Sequence, residues 1–148
     1  MKKFLGMVLA LSTVAGSAQA ASPESQTLRN GIERVKSNVD SVITQMGGNP
    51  SLDEADASLL RYLLTSSKRL EQGQDALDES DDALGNGDTD GYLNFFAEAC
   101  NRVAAARAQL GNAARRARDI KSTFPTATFV EQQKTDITDT RDSAKCPS

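Results

Sequence analysis

Asp75–Cys100, DALDESDDALGNGDTDGYLNFFAEAC, is the stretch whose reading decides the fold. Leu77 and Leu84 close one apolar seam, and Tyr92, Phe96 and Ala99 open another at helical spacing. Between the seams, Gly85-Asn86-Gly87 supplies residues suited to a left-handed helix end. Asp88, Thr89 and Asp90 can each cap the helix that follows. The stretch is expected to be the turn of a helical hairpin. It also places seven carboxylates within sixteen residues, Asp75 to Asp90, beside Tyr92, Phe95 and Phe96.

Downstream, the seam continues through Val103, Ala106, Leu110, Ala113, Ala117 and Ile120 at alternating steps of three and four. Alanine at most central positions implies a closely packed neighbour, because small side chains cannot fill a wide gap. Ser122-Thr123-Phe124-Pro125 ends this helix, and a shorter one is expected from Thr126 to about Ala144, with Phe129, Val130, Ile137 and Ala144 as its stripe. Upstream, the second helix begins at the capping box Ser51–Glu54 and carries Leu59, Leu60, Leu63, Leu64 and Leu70. Gly73 lies inside it; a mid-helix glycine costs about 1 kcal/mol against alanine and marks a place for a bend. The first helix starts at Ser22-Pro23-Glu24, buries Leu28, Ile32, Val35, Val39, Val42 and Met46, and stops at Gly47-Gly48-Asn49-Pro50. No alternating strand pattern occurs. The fold class is all-α, an antiparallel up-down-up-down helical bundle in which short connections make consecutive helices neighbours.

The chain has 148 residues. Lys2 and Lys3, the apolar run Phe4–Ala15 and the A-x-A site Ala18-Gln19-Ala20 form a signal peptide over residues 1–20. The apolar run is shorter than the ~20 residues needed to span a bilayer, so no membrane anchor is expected after cleavage. Residues 21–148 then make a single helical domain, exported to a periplasm or secreted. Without Lys2 and Lys3, 15 of the 17 basic residues face 20 acidic ones, a net charge of −5. That balance disfavours nucleic acid, whose binding depends on clustered Lys and Arg. Histidine is absent, which removes the commonest general base and metal ligand and the Ser-His and Cys-His nucleophile arrangements. No enzyme constellation remains.

Cys100 and Cys146, the two cysteines, should form one disulfide in an exported chain. A hairpin turning at residue 123 pairs residues whose numbers sum to 246, as those of Cys100 and Cys146 do. The same counting, with the first turn at residue 49, sets the start of the first helix opposite residue 75. Residues 75–99 would then form a two-helix hairpin without partners, projecting on the order of 15 Å from a root at Gly73.

Two functional readings attach to this hairpin. Leu84, Tyr92, Leu93, Phe95 and Phe96 offer an apolar, aromatic surface rimmed by charge, the mark of a site for a protein partner. An inhibitor, immunity or chaperone-like role suits such a bundle by fold-level analogy. The alternative is a divalent cation, calcium. Asn86, Asp88, Asp90, Gly91 and Leu93 resemble an EF-hand at loop positions one, three, five, six and eight. The resemblance stops there: position twelve is Ala97 instead of glutamate, and the exiting helix would have to bury Glu98, Asn101 and Arg102. Apart from that possibility no cofactor is expected. At the opposite end gather Arg102, Arg107, Arg115, Arg116, Arg118 and Lys121, with Asp53, Glu54 and Asp56 expected nearby.

Overall fold

The structure, a computed structural model, describes residues 21–48, 50 and 52–147. The signal-peptide reading and Ser51 of the expected capping box lie outside these residues. The described chain is four helices: α1 (Pro23–Gln45), α2 (Glu54–Gly85), α3 (Thr89–Asp119) and α4 (Ala127–Ser143), with no strand among the described residues. α1 packs on α2 and α4, and α3 packs on α2 and α4, closing a ring; the long α2–α3 pair packs most extensively. Cys100 and Cys146 are bonded, with their Cα atoms 5.6 Å apart.

The seams are the core. Leu28, Ile32, Val35 and Val39 of α1 meet Leu59, Leu60, Leu63, Leu70 and Leu77 of α2, all buried. Ala99, Val103, Ala106, Leu110 and Ala113 line α3, while α4 contributes Val130, Ile137 and Ala144. α2 runs unbroken through Gly73. A Cβ there would stand 3.3 Å from Ile32 Cδ1 and 3.4 Å from Val103 Cγ2, so the glycine gives room to neighbours in α1 and α3. It is a point of close approach, and the expected bend does not occur.

The helix starts follow their capping residues. Ser22, Asp53, Asp88 and Thr126 each accept from a backbone N–H three residues on. The four ends share one double turn, in which the two residues after the cap bond back to the last helical turn. Gly47 and Gly48 donate to Thr44 and Ile43, and Gly87 and Asp88 to Leu84 and Ala83. Lys121 and Ser122 donate to Arg118 and Ala117, and Lys145 and Cys146 to Asp142 and Arg141. The turn needs a left-handed residue after the cap. Gly87 supplies it at φ 75°, whereas Lys121 (53°) and Lys145 (59°) do so against their side-chain preference.

The relative heights of the helices differ from the expected ones in one respect. Asp40 pairs with Ser67, Ser25 with Asp81 and Arg29 with Asp78. α1 therefore lies about nine residues, or ~13 Å, further along α2 than a tight turn at residue 49 would set it. The α2–α3 hairpin still projects beyond the end of α4, but α1 flanks it almost to the tip.

Candidate functional site

The projecting end is built on a small polar network. Ser22 caps α1 by accepting the Ser25 N–H at 3.0 Å. Its hydroxyl also accepts from the Tyr92 hydroxyl at 2.7 Å. Buried Ser25 donates to Asp81 at 2.7 Å, and Ser80 donates to the Tyr92 carbonyl at 3.1 Å. Arg29 bridges Asp78 at 3.0 Å and Asp81 at 2.9 Å. Burial works against the Arg29 cation, but the two carboxylates outweigh it and hold its pKa above the usual value. α1 is thus pinned to α2 and α3 by hydrogen bonds and ion pairs between their side chains.

The five residues expected to meet a partner separate by exposure. Leu93 is 55% exposed and Phe95 38%. Leu84 and Tyr92 are half-buried. Phe96 is buried, with its ring stacked on Tyr92 at a centroid distance of 6.1 Å. Phe96 continues the α3 seam through Ala99 and Val103 and packs as a core residue, unlike its exposed neighbours Leu93 and Phe95. The neighbouring Phe95 points away from that seam because one residue turns a helix by about 100°.

Around Leu93 and Phe95 the charge has one sign. From Glu71 to Asn101 the chain carries nine carboxylates and no Lys or Arg. Arg29 reaches two of them from α1, and Arg102 and Lys68 engage Glu98 and Glu71 at the margins. Asp75, Glu79, Asp82, Asp88 and Asp90 are exposed and make no ion pair within 4.0 Å among the described residues.

The EF-hand-like turn forms helix caps. Asn86 is the C-cap of α2, and Asp88 is the N-cap of α3, accepting from the Gly91 N–H at 2.9 Å. Among the described residues no three His, Cys, Asp or Glu side chains are gathered closely enough to hold a metal ion. The carboxylate at position three thus serves as the cap of its own helix.

At the opposite end the arginines are partly neutralised. Arg116 donates to the Ala55 carbonyl at 3.5 Å, and Arg118 pairs with Glu131 at 3.7 Å. A hydrogen bond with Asp56, then the Asp56 N–H and the Arg116 charge lower the pKa of Asp53; the same side-chain contact raises that of Asp56. Two open cavities flank the exposed Phe124 here. One of about 600 Å³ is lined by Met46, Leu52, Asp53, Lys121 and Phe124, the other, of about 360 Å³, by Val42, Gln45, Pro125 and Phe129. The sequence reading missed both, because they form between the α3–α4 connection and segments far from it in the chain.

It also missed Arg141. This residue is buried, and donates to the Cys100 carbonyl at 3.3 Å and the Pro147 carbonyl at 3.1 Å, so it clamps the tail beside the disulfide. Burial, and then the like charge of Arg107, lower its pKa.

No protein-family model, curated protein or solved structure matches the chain. The functional reading rests on the geometry alone.

Proposed function

We propose that the protein is exported by removal of residues 1–20 and acts in the periplasm, or outside the cell, as a non-enzymatic binder. It engages a protein partner through the acidic hairpin 75–99, in an inhibitory, immunity or chaperone-like role. The observation that carries this reading is the exposure of Leu93 and Phe95 within 31 residues that hold nine carboxylates and no cation. Apolar side chains rimmed by charge mark interaction sites, and the rim adds specificity and encounter rate. Phe124 and Leu52, the exposed apolar residues of the other end, belong to connections where Lys121 stands among Asp53 and Asp56. No helix among the described residues is long and apolar enough to cross a membrane.

The test is affinity capture from the native extract with the exported protein as bait. Replacing Leu93 and Phe95 together by serine is expected to abolish recovery of the partner while leaving the melting temperature unchanged, because both side chains are exposed. Replacing Leu52 and Phe124 together is expected to leave recovery intact. The reverse pattern would refute the reading and move the binding surface to the opposite end.

A further inference from the structure

α4 stops short of the other three helices. Its chain is bonded at Cys146 to Cys100, while α3 extends eleven residues beyond Cys100, about 16 Å, to its start at Thr89. α1 follows α3 as far as Tyr92, almost to the tip, because Ser22 meets Tyr92. Three helices thus run on past the end of the fourth, and the trough between α1 and α3 that α4 fills elsewhere lies open there. The termination is built in: α4 ends in a capped double turn at Lys145, not in a frayed end.

The rows that line the trough can be followed past the end of α4. On α1 the row that meets α4 includes Asn38, bonded to Gln133, Arg34, paired with Asp136, and Gly31, packed on Thr140. A further step of four reaches Thr27, beside Ser143 at the end of α4, and one of three more reaches Glu24, past it. On α3 the row includes Gly111, beside Lys134, and Cys100. It continues to Ala97 and Leu93, with Asp90 at the rim. Leu93 is the most exposed large apolar residue of the described chain, and it lies seven residues, about two turns, beyond the level at which Cys146 is bonded to Cys100.

We propose that this open trough takes an amphipathic helix of about two turns from a protein partner, basic on its flanks, which lies in line with α4 and covers Leu93 and Ala97. The apolar floor is narrow, so the seat favours a helix with one slim apolar stripe. The walls set the sign of the flanks: Glu24 and Asp90 stand on its two sides, within an end that carries no basic residue from Glu71 to Asn101. The inference rests on the acidic end being the binding end, and it adds which face of that end is used and what occupies it.

The test uses the oxidised protein purified after export and a fluorescein-labelled Lys/Leu amphipathic peptide of about four turns, long enough to cover the open stretch. The same peptide with Glu for Lys is the control. Fluorescence polarisation should show binding of the Lys peptide alone. Leu93→Arg should weaken it about tenfold or more, as expected for a charge set into the centre of a contact. Phe95→Ser, on the other flank of α3, should change it by less than about threefold. Equal binding of both peptides, or indifference to Leu93→Arg, overturns the proposal. So does a dimer in light scattering that Leu93→Arg dissociates, which would make a second copy the occupant. If only protein lacking residues 1–20 accepts the peptide, that segment is the occupant instead. Partner capture that survives Leu93→Arg but is lost in Phe95→Ser would remove the trough and keep the hairpin reading.

Discussion

The Tyr92 hydroxyl donates a 2.7 Å hydrogen bond to the hydroxyl of Ser22, 70 residues earlier in the chain. This bond sets the start of α1 beside the first turn of α3. It turns what would be a bare two-helix projection into a three-helix end with one open side.

Tyr92→Phe is expected to cost about 1 kcal/mol, the usual worth of a partly buried hydrogen bond. Ser22→Ala should cost about 1–2 kcal/mol, since it removes the N-cap as well. Urea denaturation of both variants and of the double variant forms a cycle. A coupling energy of zero would mean that α1 does not reach the hairpin tip.

Gly31→Ala tests the contact of α1 with α4. A Cβ at this position would overlap the Thr140 side chain, which is buried in the facing helix. The expected loss is about 1–3 kcal/mol, the range of overpacked cores. Adding Thr140→Ala should recover part of it, because the γ atoms of Thr140 take up most of the space.

Lys121 and Lys145 hold left-handed backbone at two helix ends, where glycine carries no such penalty. Lys121→Gly should stabilise the protein by about 0.5–1 kcal/mol, the left-handed penalty less the chain entropy that glycine adds. A rise in melting temperature checks it. A fall would mean that the Lys121 side chain does more for the fold than its backbone costs.

Arg34 grips Asp136 with two hydrogen bonds, of 2.8 and 2.6 Å, and these hold the Asp136 pKa below the usual carboxylate value. A lowered folded-state pKa contributes stability above the unfolded value near 4, and that stability is lost as pH falls through the folded value. The pair is partly exposed, so its contribution is at most about 1 kcal/mol after screening. Asp136→Asn should lower stability at pH 7 and flatten its decline below pH ~4. An unchanged acid limb in that variant would show that the pair contributes nothing.

All four helices were legible, because each seam keeps steps of three and four and each start carries a capping residue. The α3–α4 register was legible too, since the two cysteines fix it. The α1–α2 height was not: it is set by pairs along the two helices such as Asp40–Ser67 and Ser25–Asp81, and a turn centred on residue 49 would set α1 about nine residues too low. At the tip, Phe96 already belonged to the α3 seam by spacing, yet its chemistry resembles that of Phe95, and only burial separated them. Gly73 looked like a weak point in α2. Ile32 and Val103, distant in sequence, give it its purpose. Arg141 carried no signal at all, because its partners are backbone carbonyls.

The most direct measurement is an NMR titration of the isotope-labelled, oxidised protein with the partner recovered by capture. Amide shifts should concentrate in residues 22–27 and 84–97, the tip formed by α1, α2 and α3. Shifts concentrated instead in residues 42–53 and 120–129, around Phe124, would contradict the claim that the acidic hairpin is the binding end.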